Sequence, residues 1–443
     1  MLVFLFVFSP CFLYAQSLFT KHDRVLILAP HPDDEIIGTG GVIQQALKAH
    51  AKLKVACFTN GDNNELAFIV YEKRITFKKD EFLHMGQTRA RETIKALEFM
   101  GLRAEDIVFL GYPDFGTLEI LTTHWQDTGP FKSMFARVSE ISYPDALSFR
   151  AAFVGENILK DLEKIILEFK PNKIFLSHPG DTNRDHQALY LFTRIALWNL
   201  EGRLKSPKLY PYLIHVVKWP MPRGHHLDLE LDPPDKFKPF KWSKVFLSEA
   251  EVSLKHKAIN FFTSQIEYNP PYLFTFARKN ELFGDYPPVW LKKNRGKVIF
   301  WTRLDADSDI EDGSDIAGEE GGNLIFGLAY RYDDHNLYVK MHLKNRMSLV
   351  KGISIFLLGY SKSESFARMP KIKISLGLFA KSIKDKKRPI FMRGFKISYQ
   401  GSDLILNIPL AGLGYPDYIL TRVRTGIKSF TFYTNSWRII ELQ

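Results

Sequence analysis

The stretch that decides the fold is VLILAPHPDDEIIGTGGVI, residues 25–43, which passes from an unbroken apolar run into four ionisable residues and then glycines. The apolar run predicts a buried strand, and the acidic residues before the next apolar positions predict the start of a helix. The ionisable residues His31, Asp33, Asp34 and Glu35 therefore fall at the carboxyl end of a strand. Burial of such charges is unfavourable unless they are paired or bind a cation. Packing alone does not explain this cluster, and we interpret it as a functional site.

The first part of the chain alternates between strand and helix patterns. Further apolar strand patterns occur in LKVACFT, DIVFLGYPD and KIFLSHPG, with amphipathic helix patterns between them. Continuous apolar strands separated by such helices predict a Rossmann-like, three-layer α/β domain with a mainly parallel sheet. Ligands of these sheets bind beyond the carboxyl ends of the strands. The polar clusters HPDDE, GYPD and SHPGDTNRDH lie at such ends, so we expect them to form one site.

The pattern changes near Tyr286. After a linker in GDYPPVW, short alternating strands with turn signals predict an all-β sandwich over residues 290–443. The basic cluster KSIKDKKRP, around Lys384–Arg388, is interpreted as a solvated loop. The acidic stretch DADSDIEDGSDIAGEE resembles the beginning of a calcium loop, but Ile310 occupies the position where an EF-hand needs glycine. A solvated loop is the favoured interpretation there too.

Composition narrows the class of protein. The 443 residues are 45% hydrophobic and 25% charged, which is typical of a globular protein of two or three domains. The net charge of +11 is spread over both halves of the chain, so we expect no nucleic-acid partner.

The N-terminus MLVFLFVFSPCFLYAQS is apolar up to Ala15, which is too short to span a bilayer. It predicts a signal peptide over residues 1–16, although no Lys or Arg precedes the apolar run. The protein is then exported to the periplasm, the cell surface or the medium, and the mature chain has no transmembrane span. Cys57 would remain as a single cysteine, and its apolar neighbours predict that it lies in the core.

The spacing of His31 and Asp34 allows both side chains to turn into one crevice. Two histidines and one carboxylate, with a position open for water, form a known catalytic zinc site. The second histidine is either His186, in DTNRDHQALY, or His178, in SHPG. We favour His186 because acidic neighbours such as Asp185 can orient it.

The remaining acidic residues of the first cluster have separate expected roles. Asp33 is the natural general base, because a metal-activated water needs a proton acceptor that is not itself a ligand. Glu35 is expected to accept hydrogen bonds from amides at the start of the helix. The glycines that follow do not have the spacing of a dinucleotide-binding fingerprint.

The stretch APHPDDEIIGTGG resembles the A-H-P-D-D-E signature of the PIG-L/LmbE-like deacetylases, zinc hydrolases that remove N-acetyl groups, chiefly from glucosamine-containing substrates. The segments FTNGD, RARETIKALEFMG, FLGYPD and DTNRDH follow in the order typical of that family. The resemblance extends from Arg24 to Gly284, and we place the deacetylase domain at residues 22–285.

The resemblance implies roles for individual residues. One Zn²⁺ per chain, or another divalent metal, would be bound by His31, Asp34 and His186, and Asp33 would be the catalytic base. Arg89 and Asp114 match positions that bind the substrate. The alternatives for these two are a helix-surface ion pair of the arginine with Glu92 or Glu81, and a turn-forming aspartate.

One departure from the family pattern concerns Asn183. Many members have His-x-x-His at the second metal motif, where the first histidine helps to stabilise the charged intermediate. An asparagine can donate a hydrogen bond to an oxyanion but cannot deliver a proton. The general acid is therefore open between Asp33, which could return its proton, and His215, for which a packed strand residue is the favoured interpretation. Asn183 and Asp185 are expected near the oxyanion or behind the ligands.

These patterns predict a zinc-dependent hydrolase that removes an N-acetyl group from an N-acetylglucosamine-containing sugar or glycoconjugate. Metal-bound water would attack the amide, with Asp33 as general base. The alternative is a catalytically inactive, glycan-binding surface protein. A metal-dependent phosphoesterase is a third hypothesis, but the sequence shows one set of ligands and no second-metal site.

The segment LAYRYDDHNLYVKMHLK resembles one hairpin of family 9-like carbohydrate-binding modules. The sandwich could bind glycan, pack on the first domain or mediate assembly. The expected partners are an N-acetylated amino sugar, a glycoconjugate or a polysaccharide, and the sequence does not define the oligomeric state.

Overall fold

The computed structural model describes residues 18–63, 78–267, 269–294, 300–304, 325–344, 352–377, 380–427 and 430–443. The predicted signal peptide over residues 1–16 and the acidic stretch over residues 305–320 lie outside these residues. Among the described residues, no helix is long and apolar enough to cross a membrane.

A seven-stranded sheet forms the centre of the first half. Its strands are β1 (Arg24–Ala29), β2 (Lys52–Thr59), β3 (Ile107–Tyr112), β4 (Lys173–Ser177), β5 (Lys208–Tyr212), β6 (Trp242–Phe246) and β7 (Asn280–Gly284). The strand order is β3-β2-β1-β4-β5-β7-β6. The first five strands are parallel, and β7 is antiparallel to both β5 and β6. The prediction of a mainly parallel sheet is confirmed.

Helices cover both faces of this sheet. They are α1 (Asp34–Lys48), α2 (Lys79–Phe99), α3 (Thr117–Thr123), α4 (Gly155–Phe169), α5 (Arg184–Asn199), α6 (Glu249–Ile259), α7 (Thr263–Ile266) and α8 (Pro270–Phe274). Alternate residues of β1 enter two different cores, because successive side chains of a strand point to opposite faces. Leu26 and Leu28 pack with α4 and α5, whereas Val25 and Ile27 pack with α1, α2 and α6. The Rossmann-like, three-layer prediction is confirmed. Cys57 is buried in the second of these cores, as predicted.

Helix α1 is kinked at Thr39, whose φ of −142° and ψ of 17° are not helical. The kink leaves backbone groups without helical partners, and a buried ion pair binds them. Glu281 accepts hydrogen bonds from the amides of Gly41 and Val42 at 2.6 and 2.9 Å. Lys255 donates to the carbonyl of Ile37 at 2.8 Å and to Glu281 at 2.7 Å.

The remainder of the chain is all β, and its strands form two further sheets. They are β8 (Val289–Leu291), β9 (Thr302–Arg303), β10 (Ile325–Tyr332), β11 (Asn336–Leu343), β12 (Ile353–Tyr360), β13 (Lys371–Leu376), β14 (Lys381–Asp385), β15 (Arg388–Pro389), β16 (Lys396–Gln400), β17 (Asp403–Pro409), β18 (Tyr418–Ile427), β19 (Phe430–Thr434) and β20 (Arg438–Leu442). The sheet orders are β16-β17-β11-β10-β9 and β15-β14-β13-β12-β18-β20-β8, with β19 beside β18.

The two sheets pack face to face. One core contains Val339 and Leu406 from the first sheet and Ile355 and Val423 from the second. This packing is that of a β-sandwich. The last strand of the α/β sheet ends at Gly284, and β8 of the sandwich begins at Val289. The domain bounds 22–285 and 290–443 themselves remain a prediction.

The sandwich is packed directly against the α/β domain. Trp198 of α5 stacks on Tyr418 of β18, with ring centroids 4.3 Å apart. Trp125, which follows α3, meets Phe366 at 5.3 Å, and the ammonium of buried Lys371 lies 4.8 Å from the Trp125 ring. A single hydrophobic cluster includes residues of both domains. Of the three roles left open for the sandwich, packing on the first domain is therefore present in the structure.

The basic cluster around Lys384–Arg388 is not a solvated loop. It forms strands β14 and β15 and the turn between them, and this hairpin contacts the α/β domain. Lys386 Nζ lies 2.8 Å from both carboxylate oxygens of Asp127, and Arg388 donates to the Asp127 carbonyl at 3.0 Å. The run of charge was misread because sequence alone does not reveal an acidic partner 259 residues away.

We predict that Glu281→Gln lowers the free energy of unfolding by about 3–5 kcal/mol, because it leaves Lys255 as a buried charge without its counter-ion. Denaturant unfolding measures this. The control is Asp235→Asn, which removes an exposed partner of Lys238 and should change stability by no more than about 0.5 kcal/mol. Equal, small losses in the two variants would contradict the assigned role of the buried pair.

Candidate metal centre and active site

The clusters at the ends of β1 and β4 meet at one point of the sheet. The two strands are neighbours, and the strand order changes direction between them. Such a switch point opens a crevice beyond the carboxyl ends of the strands. His31 follows β1, and His186 lies in the first turn of α5, which follows β4. The fold thus brings together residues that are 155 positions apart in the sequence.

Three buried side chains converge at this point. Asp34 Oδ2 lies 3.2 Å from His31 Nδ1 and 3.0 Å from His186 Nε2. Donor atoms of these residues and of His215 all lie within 4.8 Å of one another. The structure therefore brings the three predicted ligands together and adds a third imidazole, that of His215, beside them.

Each of the two histidines also faces a carboxylate with its other ring nitrogen. His31 Nε2 lies 3.1 Å from Asp114 Oδ1 and 3.4 Å from Asp185 Oδ2. His186 Nδ1 lies 3.1 Å from Asp181 Oδ2. Metal-binding histidines usually have such a partner, which fixes the orientation of the ring and strengthens the ligand.

The charge of the cluster also suits a cation. Burial alone lowers the pKa of His31, but Asp114 and the other carboxylates outweigh it and raise that pKa well above its usual range. In the same way, Asp181 and Asp34 overcome burial and raise the pKa of His186 to about 9. Burial opposes ionisation of Asp34, but His186 and His31 hold its pKa well below the usual range. The surrounding carboxylates favour positive charge at their centre, so these residues fit a divalent metal ion.

A second convergent group, formed by His31, Asp114 and Asp185, lies on the far side of the His31 ring. Its oxygens already have protein donors. Asp185 accepts from the amides of Phe115 and Thr117 at 2.6 and 3.1 Å, and from the Thr117 hydroxyl. Asp114 accepts from the amide of Asn63 at 3.2 Å. This group is therefore best explained as the support of His31. Asp185, which the sequence analysis expected to orient His186, instead faces His31, and Asp181 faces His186.

Asp181 connects the metal cluster to two loops. Besides facing His186, it accepts hydrogen bonds from the amides of Asn183, Ile214 and His215 at 2.8, 3.0 and 2.9 Å. It is fully buried. One carboxylate thus fixes both the start of α5 and the loop that carries His215.

Asp33 precedes α1 with a φ of 112°, which is a strained conformation for a residue with a side chain. The Arg89 guanidinium donates to Asp33 Oδ2 at 3.2 Å and to the Pro32 carbonyl at 2.8 Å. Burial, together with Asp34, raises the pKa of Asp33 to about 7. Glu35 accepts a hydrogen bond from the Asp33 amide at 3.0 Å, close to its expected role.

Arg89 is not part of a surface ion pair. It is 4% exposed, and it also donates to the Gly61 carbonyl at 3.0 Å. Glu92, one of the two surface partners considered from sequence, instead binds Thr263 and Ser264. Arg89 and Asp114 both line the cavity described below, but each already has protein partners. Their role in substrate binding remains a prediction.

Asn183 caps α5, with its side-chain oxygen accepting from the Asp185 amide at 2.8 Å. It also lines the cavity. Its amide nitrogen has no hydrogen-bond partner within the part of the chain that the structure describes. The side chain can therefore donate a hydrogen bond into the cavity.

The sequence suggested that His215 lies within a strand. In the structure it lies beyond the end of β5. Its ring is 4.7 Å from that of His186, and its Nδ1 is 2.8 Å from the hydroxyl of Tyr272. Burial lowers the pKa of His215 to about 4, so the imidazole is neutral. Sequence analysis missed Tyr272, because nothing in its local pattern connects it to a histidine 57 positions earlier.

His178, the competing ligand, lies elsewhere. Its Nδ1 accepts a hydrogen bond from the Gly180 amide at 2.9 Å. Its ring packs among Phe237, Trp242 and Tyr286. The structure therefore favours His186 as the second histidine of the cluster.

A cavity of about 360 Å³ opens over the cluster. Its lining combines groups of the cluster with an apolar wall and with polar groups that suit a small polar ligand. The cluster contributes His31 and His215, and the neighbouring residues Asp33 and Asn183 also line the cavity. The apolar wall includes Ile37, Phe115, Val216, Val217 and Leu273, and the further polar residues are Thr182, Arg223, Gln265 and Asn269.

We predict that His186→Gln weakens Zn²⁺ binding by at least about 100-fold, because it removes a donor from the convergent cluster. Equilibrium dialysis measures this. The matched control is His178→Gln, a buried histidine eight positions earlier that should leave zinc affinity unchanged. If His178→Gln is the variant that loses zinc, the ligand assignment is wrong.

Comparison with known proteins supports this description. Residues 26–197 match the model of the PIG-L family, which is described as GlcNAc-PI de-N-acetylase. The chain therefore contains a PIG-L domain over these residues, and the resemblance inferred from the first motif is confirmed.

Curated relatives include a 1D-myo-inositol 2-acetamido-2-deoxy-alpha-D-glucopyranoside deacetylase of Mycobacterium sp. (strain KMS), 27% identical over 189 residues, which covers 42% of this chain and 53% of the relative. The protein with the same description from Corynebacterium glutamicum (strain R) is 25% identical over 190 residues, with 41% and 57% covered. The chain thus spans about half the length of the curated relatives it matches. Among solved structures, N,N'-diacetylchitobiose deacetylase from Pyrococcus horikoshii is 19% identical, with 58% of this chain and 82% of that chain covered and a TM-score of 0.37.

Proposed function

We propose that this protein is a zinc-dependent hydrolase that removes an acetyl group from an N-acetylglucosamine-containing sugar or glycoconjugate. The observation that carries the proposal is the convergence of His31, Asp34 and His186 on one point, with His31 and the neighbouring Asp33 lining the cavity. The match of residues 26–197 to a de-N-acetylase family supports the type of bond that is cleaved.

The donor set favours zinc. Two imidazoles and one carboxylate, each imidazole backed by a further carboxylate, are typical of catalytic zinc sites with an open position. A divalent metal ion bound by these residues would polarise the acyl carbonyl and lower the pKa of a bound water toward neutrality. His31 and His215 of the cluster line the cavity, so a substrate bound there lies next to the cluster.

Asp33 acts as the general base. Its carboxylate lines the cavity, and Arg89 fixes its orientation through the 3.2 Å hydrogen bond. Asp33 takes a proton from the attacking water as the oxygen bonds to the acyl carbon. It then returns this proton to the leaving nitrogen when the carbon–nitrogen bond breaks, so the amine and acetate are the products.

Asn183 and His215 lie on the wall next to the cluster. Since the Asn183 side-chain oxygen caps α5, its amide N–H groups remain to donate to the oxygen that becomes negative in the tetrahedral intermediate. The neutral His215 ring, held at Nδ1 by Tyr272, adds a second polar group on that wall. These two residues take the place of the single histidine that the family pattern has at position 183.

The substrate class follows from the cavity and the relatives. A cavity of about 360 Å³ with mixed apolar and polar walls accommodates an amino sugar. The curated relatives are described as deacetylases of an N-acetylated glucosaminyl inositol. We also propose export of the protein, from the apolar N-terminal segment. Glycan binding by the sandwich stays a prediction.

We predict that Asp33→Asn retains zinc and loses about 10²–10⁴-fold in kcat, because it removes the base and preserves the ligands. Asp34→Asn should instead bind zinc markedly more weakly. Metal analysis of the dialysed proteins, combined with acetate release from N,N'-diacetylchitobiose and other N-acetyl sugars, measures both. If Asp33→Asn is the variant that loses zinc, the roles of the two carboxylates are reversed.

The same assay separates this proposal from its alternative. A catalytically inactive glycan-binding protein would bind sugars from a broad panel without releasing acetate. The departure at Asn183 is the observation that favours this alternative. The buried 3.2 Å contact of Arg89 with Asp33 favours the enzyme, because a binding protein has no need of a fixed base.

A further inference from the structure

Strand β18 of the sandwich reaches the residue next to a predicted metal ligand. Arg422 of β18 donates from Nη1 to Gln187 Oε1 at 2.9 Å. Gln187 follows His186 directly on α5 and is 1% exposed. This hydrogen bond joins the sandwich to a buried residue of the α/β domain.

Gln187 in turn contacts Asp181, the residue that faces His186. Gln187 Nε2 donates to the backbone carbonyl of Asp181 at 2.6 Å. The Asp181 carboxylate in turn lies 3.1 Å from His186 Nδ1. Its oxygens also accept from the amides of Ile214 and His215, so it helps to fix the positions of His186 and His215, two of the three clustered imidazoles.

A second contact from the sandwich meets the same loop. The guanidinium of Arg438, on β20, lies 4.2 Å from the ring centroid of Tyr286. That ring packs at 4.7 Å from His178, at the start of the loop that leads to α5. The sandwich therefore reaches the start of the loop over residues 178–183 through Tyr286, and it contacts α5 at Gln187, just past the end of that loop.

We propose that the C-terminal sandwich is a structural component of the metal centre, and that Arg422 is a positioning residue which acts through Gln187 and Asp181 on His186. The inference rests on the proposed function only in taking His186 as a metal ligand. Its physical basis is the neutral amide of Gln187. Arg422 donates a hydrogen bond to the oxygen of that amide. The N–H of the Gln187 side chain is therefore directed at the Asp181 carbonyl, which keeps the loop in the conformation that orients His186.

This arrangement gives the sandwich a role that needs no ligand of its own. Residues that fix a metal ligand from behind typically change metal affinity by about 10–100-fold when they are removed. Arg422 is two contacts further from His186 than Asp181 is, because Gln187 lies between them. Removal of the Arg422 guanidinium should therefore weaken metal binding by a factor at the lower end of that range. Removal of the Asp181 carboxylate should weaken it by a factor at the upper end.

The test measures Co²⁺ affinity of the full chain from the absorption of the bound ion, which does not depend on turnover. We expect Arg422→Met to weaken Co²⁺ binding about 10-fold. Gln187→Glu should weaken it similarly, because it keeps a partner for Arg422 but loses the N–H that Asp181 receives. The double variant should be no weaker than either single one, since both changes break the same chain of contacts.

The matched control is Lys362→Met, which removes a different contact between the sandwich and the α/β domain, the ion pair with Glu201 at 2.8 Å, where both side chains are exposed. It should bind Co²⁺ like the wild type. Arg422→Lys, which retains a donor, should recover part of the affinity. Thermal unfolding identifies any variant that does not fold. If Arg422→Met does not fold, Gln187→Glu tests the inference, because it keeps the contact between Arg422 and residue 187.

Wild-type affinity in both Arg422→Met and Gln187→Glu would overturn the inference. An equal loss in Lys362→Met would also overturn it, because general loosening of the interface would then explain the effect. If the wild type itself bound no Co²⁺, the proposed function would fail, and this result is distinct from a failure of the inference.

Discussion

The structure depends on two buried imidazoles that are each held between carboxylates. His31 lies between Asp34 and the pair Asp114 and Asp185, and His186 lies between Asp34 and Asp181. Such an accumulation of buried negative charge is unfavourable without a compensating cation. The fold places it where parallel strands diverge, so that backbone amides and a cavity can both reach it.

Much of the surrounding structure serves to fix these carboxylates. Amides of the loop after β3 bind Asp185, and amides of the loop after β5 bind Asp181. Because each carboxylate belongs to one loop and is bound by another, the loops support one another. The kink of α1 has a similar explanation, since the buried pair of Glu281 and Lys255 satisfies the backbone groups that the kink leaves free. Gly38 precedes the kink, and a Cβ there would lie 2.8 Å from the Tyr212 ring.

Sequence reasoning succeeded where the information is local. The apolar run before His31 defined a buried strand, and the residues after it defined the cluster at its end. The choice of His186 over His178 depended on acidic neighbours in the same segment, and the geometry agrees with it. Period-two patterns after Tyr286 were sufficient for the sandwich, because its strands bury one face and expose the other.

What escaped prediction depends on contacts between distant segments. The alternative considered for Arg89 paired it with Glu92 or Glu81 on its own helix, whereas it reaches Asp33, 56 positions away. His215 was placed in a strand, but β5 ends earlier and Asp181 holds the loop that follows. The basic hairpin of β14 and β15 appeared solvated because its partner Asp127 lies in the other domain. In each case the missing information is which distant backbone or side chain is close.

X-ray absorption at the zinc edge of the zinc-loaded protein tests the central claim most directly. The account predicts one zinc per chain with two imidazole ligands at about 2.0–2.1 Å and an oxygen donor at about 2.0–2.2 Å. His186→Gln should remove one imidazole contribution, while His178→Gln should leave the spectrum unchanged. A spectrum without imidazole scattering, or one that is unchanged in His186→Gln, would contradict the proposed centre.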